Sequence, residues 1–157
     1  LNFKPPMTRI ITTLLAVLLS SAIFAFAAHH EGTTLEITSN DTMQFNTKSF
    51  EVKAGEEITL VLKNLGKLPK AAMGHNLVIL KPGSNVAGFA TAAVRAVVNE
   101  YIPTDDANKA MIIAHTKLLG PGEEDAVTFT LPDTGAYPFV CSFPGHFALM
   151  QGIIYAK

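Results

Sequence analysis

The chain has 157 residues, one cysteine, no tryptophan and a formal net charge of −1, which leaves room for one domain behind a targeting segment and excludes a two-domain catalyst. Its charges form no basic run, so it carries no electrostatic footprint for nucleic acid. Hydrophobic residues make up 48% of the sequence, but the excess is concentrated at the start and does not measure the core.

Residues Leu1 to Pro6 precede the first methionine and read as the product of an upstream start site. From Met7 to Ala28 the chain runs MTRIITTLLAVLLSSAIFAFAA, with one positive charge at Arg9, an apolar run from Ile10, and Ala25 and Ala27 framing an A-x-A site. This is the pattern of a secretory signal peptide removed after Ala27. Retention as a membrane anchor is the competing reading, because Ile10 to Ala28 approaches the roughly 18 to 20 residues that span a bilayer. Cleavage assigns 1–27 to the targeting segment and 28–157 to the mature domain. That domain loses only Lys4 and Arg9 among the basic residues, carries ten basic against thirteen acidic groups, and has a net charge of −3. It is expected to lie outside the cytoplasm with no stable membrane association. An unpaired cysteine in an oxidising compartment is a liability unless something occupies it, and metal ligation is one such use.

From Thr33 the sequence alternates short β-rich runs with turn residues, as in TTLEITSND, SFEVKAGEEITLVLKNLG and DAVTFTLPDTG. Ile58, Leu60 and Leu62 recur at period two, so one face of that strand is buried while Thr59, Val61 and Lys63 point away. Further runs, HNLVIL from His75, AVTFTL from Ala126, YPFVC from Tyr137 and MQGIIYA from Met150, bring the total to seven or eight strands, enough for an all-β sandwich of two sheets. One stretch departs from this pattern. Val86 to Tyr101 is alanine-rich without internal proline, Asn85 is a candidate N-cap, and Phe89, Ala93, Val94 and Val97 share helical spacing. A short helix laid across the sandwich is predicted there, ended by Ile102-Pro103-Thr104-Asp105-Asp106.

Near the C-terminus Cys141-Ser-Phe-Pro-Gly-His146-Phe-Ala-Leu-Met150 places three soft or borderline donors in one loop between two predicted strands. Pro144 and Gly145 allow a turn sharp enough to bring His146 back toward the cysteine. A fourth donor, His75, opens another predicted strand after Met73-Gly74. Singly, a methionine is commonly core filler and a histidine a hydrogen-bonded structural residue. Together they make the donor set of a blue-copper electron-transfer site, two imidazoles and a thiolate with a weak axial thioether. Thiolate and thioether favour Cu(I) while imidazole also serves Cu(II), so both oxidation states are held. Zinc is the rival metal, although a structural zinc site more naturally carries two or more cysteines.

On these residues the chain is similar to the azurins, a family of bacterial cupredoxins. The matching stretches are SNDTMQFNT at Ser39 to Thr47, LPKAAMGHN at Leu68 to Asn76, IAHTKLLGPGEEDAVTF at Ile113 to Phe129 and CSFPGHFALMQG at Cys141 to Gly152. The resemblance implies a cupredoxin-like Greek-key β-sandwich of about eight strands with a helical flap, a monomer holding one copper ion, Cu(I) or Cu(II). It implies single-electron transfer in the periplasm among redox proteins such as cytochromes or copper enzymes. By matched position His75, Cys141 and His146 are the equatorial ligands, Met150 the axial ligand, and the Gly74 carbonyl a weaker contact. Asn76, Ser142 and Phe143 surround the ligands, with Asn76 tying the two ligand loops together. Met43, Met73, Phe143, Pro144 and Leu149 match the apolar, partner-docking surface around the exposed edge of His146, and His115 matches a surface histidine.

The chain also departs from that family. Thr33 or Thr34 and Gly55 stand near the places of a disulfide that this sequence lacks, Leu77 replaces a buried tryptophan, and Asn64 occupies the place of a partly buried titrating histidine. None of these removes a ligand. An enzyme with a second copper is not expected, because only His115 is left outside the tail and the ligand set. An exported copper carrier without a redox role remains as the alternative, and Ala28-His29-His30 would form a Cu(II) clamp if cleavage falls after Ala27.

Overall fold

The computed structural model describes Leu1, Asn2 and residues 32–157. The expected signal peptide, its cleavage site and His29 and His30 lie outside the described residues. The chain divides into two units, 1–30 and 31–157, and the second holds both sheets and the donor residues.

Among the described residues nine strands form two sheets. They are β1 (Thr33–Asn40), β2 (Gln44–Phe45), β3 (Ser49–Val52), β4 (Glu57–Asn64), β5 (Val78–Leu80), β6 (Ile112–His115), β7 (Glu124–Thr130), β8 (Gly135–Val140) and β9 (Gln151–Ala156). One sheet has the order β2-β1-β4-β7 and the other β3-β9-β8-β5-β6. β1 runs parallel to β4 and β3 parallel to β9, and the remaining pairs are antiparallel. The period-two reading of β4 holds: Ile58, Leu60 and Leu62 are fully buried. They enter one core with Leu35 and Ile37 of β1, Phe139 of β8 and Ile154 of β9. Burying each such side chain is worth about 1.5–3 kcal/mol.

β5 reads Val-Ile-Leu without alternation because both its faces are covered. Leu77 and Ile79 face the main core. Val78 and Leu80 pack with Phe89 in a second, smaller cluster. Phe89 belongs to α2 (Val86–Ala93), whose N-cap Asn85 accepts the Gly88 N–H at 3.0 Å. This is the predicted helix, but it is shorter than the predicted span. It ends at Ala93 in a turn closed by Arg95 N–H to Ala92 and Ala96 N–H to Ala93. Phe89 and Ala93 are buried as the spacing requires, whereas Val94 is 46% and Val97 60% exposed because the chain has turned away. Val97–Asn99 forms a 3₁₀ turn instead.

Two one-turn helices, α1 (Lys70–Met73) and α3 (Asp106–Lys109), have no counterpart in the sequence reading. The strand expected from His75 starts only at Val78, because His75 pairs instead with Leu119 in an isolated bridge. No helix among the described residues is long and apolar enough to cross a membrane.

Candidate metal centre

The loop from Cys141 to Met150 joins β8 to β9 and is closed at its neck by Cys141 N–H donating to the Met150 carbonyl at 2.9 Å. Within it His146 N–H bonds back to the Phe143 carbonyl at 3.1 Å across Pro144-Gly145. Gly145 has φ +80°, which with proline before it makes a type II turn that a side chain at this position would strain. Leu149 and Met150 N–H groups then both return to the His146 carbonyl, at 3.1 and 2.9 Å. Sequence chemistry thus turns His146 and Met150 back over the strand end that carries Cys141.

His75 comes from the opposite side. Its N–H donates to Leu119 at 3.1 Å and its carbonyl accepts from Leu119 at 2.7 Å. Gly74, just after α1, is packed so closely that a Cβ would lie 2.7 Å from the Lys70 carbonyl and 3.0 Å from Leu118 Cγ. Asn76 ties this segment to the cysteine loop. Its Oδ1 accepts from the Ser142 N–H at 2.8 Å, and its Nδ2 donates to Ser142 Oγ at 2.8 Å. Both residues are buried, where an unpaired amide would cost about 1–3 kcal/mol, so the pairing locks the two segments together.

The donor atoms of His75, Cys141 and His146 lie within 4.8 Å of one another. Cys141 Sγ is 3.7 Å from His146 Nδ1, and the two imidazole centroids are 5.0 Å apart. Met150 is fully buried in the same core cluster as Cys141. Both ring nitrogens of His75 are buried without a hydrogen-bond partner, which is costly unless something takes the lone pair. Burial pushes the His75 pKa down, only partly opposed by the nearby Asn40 carbonyl, which lies outside hydrogen-bond geometry, and by Asp41. Burial and then neighbouring His75 push His146 down to about 4. Both rings are therefore neutral at neutral pH and can ligate.

Burial raises the Cys141 thiol to about 11, against backbone N–H groups of Asn76 and Phe143 that favour the thiolate. A metal bound here displaces that proton. Two neutral imidazoles, one buried thiol and a buried thioether suit copper better than zinc.

The apolar collar is less open than the sequence suggests. Leu149 is 46% exposed, Met43, Met73 and Pro144 are half-buried, and Phe143 and His146 retain only 8% and 3% exposure. Phe143 covers the His146 ring at a centroid distance of 4.6 Å, which is why its edge is largely closed. Leu77 is fully buried in the main core. Asn64 is buried, donating from Nδ2 to the Leu119 carbonyl at 3.2 Å and accepting the Gly66 N–H at 2.9 Å. His115 lies at the exposed end of β6 and is not among the clustered donors. Sequence reasoning missed Glu100 and Tyr101, whose contacts with Asn76, Leu118 and Phe143 depend on a backbone conformation that nothing local announces.

A family model described as copper binding proteins, plastocyanin/azurin family, matches residues 32–157. An azurin of Alcaligenes faecalis is 47% identical over 125 residues, 76% of this chain and 94% of that protein. The outer membrane protein H.8 of Neisseria gonorrhoeae is 49% identical over 120 residues, which is 74% of this chain but 63% of that longer protein. Among solved structures, reduced auracyanin from Roseiflexus castenholzii superposes with a TM-score of 0.71 at 36% identity, covering 80% of this chain and 98% of that one. The azurin Az-iso2 of Methylomonas sp. strain J does so with a TM-score of 0.69 at 34% identity and the same coverage.

Proposed function

The chain belongs to the plastocyanin/azurin family of copper-binding proteins, and from that premise we propose that it is a periplasmic blue-copper protein carrying single electrons between redox partners. Its cofactor is one copper ion, and the donor cluster fits it. In this reading His75, Cys141 and His146 are the equatorial ligands, Met150 the axial ligand, and the Gly74 carbonyl a weaker contact. The observation that carries the reading is the buried cluster itself, three donor atoms within 4.8 Å with both His75 nitrogens unpartnered.

The bound copper supplies one-electron chemistry by alternating between Cu(I) and Cu(II). The protein's part is to keep the site unchanged as it does so. His75 is fixed by its backbone pair with Leu119, His146 and Met150 by the loop's own hydrogen bonds, and Cys141 by the neck of that loop. Ligands held this way limit rearrangement at each transfer. The backbone N–H groups of Asn76 and Phe143 favour the thiolate, and such donors around a ligand tune a metal's potential. Burial of the donors argues against a carrier that hands copper from ligand to ligand at a surface. Leu149, with Met43, Met73, Phe143 and Pro144, forms the contact face for periplasmic cytochromes or copper enzymes, engaged by a monomer.

Loading the protein with Cu(II) tests this directly. An intense blue colour from thiolate-to-copper charge transfer and a reversible one-electron wave are expected, and a pale product with no wave would remove the electron-carrier reading. Replacing Met150 with leucine is expected to keep the colour and raise the potential. The expected rise is about 59 mV or more, a tenfold change in preference for Cu(I), because an axial donor is lost to an apolar group. A fall, or no movement, in voltammetry would place Met150 outside the metal shell.

A further inference from the structure

Two consecutive residues with side chains, Glu100 and Tyr101, have positive φ, at 54° and 64°. Glycine would adopt this left-handed conformation freely, whereas a residue with a Cβ is disfavoured in it unless its surroundings impose it. The pair is held by backbone bonds from Glu100 N–H to Val97 at 3.2 Å and Tyr101 N–H to Ala96 at 2.9 Å, so the flap ends here in a tight turn.

What the turn achieves is contact with residues that flank both halves of the donor cluster. The Glu100 carboxylate accepts the Leu118 N–H at 3.1 Å, one residue before the Leu119 that pairs with His75. The Glu100 carbonyl accepts from Asn76 Nδ2 at 3.3 Å, next to His75 and at the side chain that grips Ser142. The Tyr101 ring meets Phe143 edge-on with centroids 5.0 Å apart, and Phe143 in turn lies on His146. The ion pair of Glu100 with Lys70, 3.2 Å, has both side chains more than 40% exposed and is screened by solvent. The structural contact of the carboxylate is therefore its part-buried bond to the backbone of Leu118, a residue that is itself buried.

We propose that Glu100 and Tyr101 are positioning residues, a clasp at the end of the flap that holds the His75 segment and the His146 loop at a fixed separation. This rests on the copper reading for its functional meaning, but its mechanical part does not need the metal. A turn that relaxed to an ordinary conformation would withdraw the carboxylate from Leu118 and the ring from Phe143, leaving the two segments joined by the Asn76–Ser142 bonds and the pairing of β5 with β8.

The test uses Glu100→Gly and Tyr101→Gly, because glycine keeps the turn without strain and deletes only the side chain. In metal-free protein, amide exchange at Leu118 is expected to quicken by about tenfold or more in Glu100→Gly, since the N–H loses a charged acceptor. Glu100→Gln, which still offers an acceptor oxygen, should restore protection, and Lys70→Ala should leave it unchanged.

In copper-loaded protein, both glycine variants are expected to shift the charge-transfer band and slow electron self-exchange several-fold, with Glu100→Gln recovering the band. Faster exchange at Leu118 with an unaltered band and self-exchange rate would show ordinary structural support and overturn the proposal, as would unaltered protection at Leu118. A wild-type protein that takes up copper without becoming blue would remove the electron-carrier reading, while the metal-free measurements still decide whether the clasp exists.

Discussion

Replacing Cys141 with serine is expected to abolish the blue colour entirely while leaving a folded sandwich. The colour of such a site comes from charge transfer between thiolate and copper, and a hydroxyl supplies neither the soft donor nor, at neutral pH, the anion. The sandwich survives because its frame does not use the sulfur. The loop neck is a backbone bond from Cys141 N–H to Met150, and the bridge to the His75 segment runs through Asn76 and Ser142. A fully buried hydroxyl in place of the thiol costs about 1–3 kcal/mol if it finds no partner, against roughly 5–15 kcal/mol of total stability. The backbone N–H groups of Asn76 and Phe143, which favour a negative charge on the sulfur, offset part of that cost. Visible absorption of the copper-treated variant, with circular dichroism to verify the fold, decides the matter. Retained colour would move the thiolate role elsewhere, and no other cysteine exists in the chain to take it.

A lysine at Leu149 is expected to slow electron self-exchange by at least about tenfold, because two molecules must then bring like charges together on the same face and strip water from both. Leu149 is the most exposed of the five proposed docking residues, at 46%, and it sits three residues beyond the largely covered His146 ring. Its backbone N–H bond to the His146 carbonyl does not involve the side chain, so the loop and the copper geometry should stand. A small apolar patch of this kind favours weak, quickly reversible association, which is what repeated electron delivery needs. The measurement is the self-exchange rate by NMR line broadening in mixtures of reduced and oxidised protein, beside an unchanged spectrum and potential. Equal rates in variant and parent would displace the docking face from this end of the molecule.

Much of the molecule is legible in its residues taken in order. The alternation of Ile58, Leu60 and Leu62 marks a half-buried strand whatever it packs on, since side-chain direction in a strand depends only on parity. Cys141, His146 and Met150 share one loop, and Pro144-Gly145 imposes the turn between them, so this part of the centre is written locally. The fourth donor is identifiable by chemistry and resemblance, but the sequence misplaces it at the head of a strand. His75 instead owes its position to a bridge with Leu119, a partner far along the chain that no spacing rule reveals.

The same holds for burial. Val94 and Val97 have helical spacing, yet the helix stops at Ala93 and leaves them in solvent, because a hydrophobic period says which face is apolar and not where the chain will turn. Two features came only from the assembled fold: the closing of Phe143 over His146, and the left-handed turn at Glu100-Tyr101. Neither residue type favours that turn on its own. Local sequence therefore determined which atoms are chemically able to hold copper, while long-range contacts decided how far apart they stand and how much water reaches them, because distance and desolvation are properties of packed neighbours rather than of the chain's order.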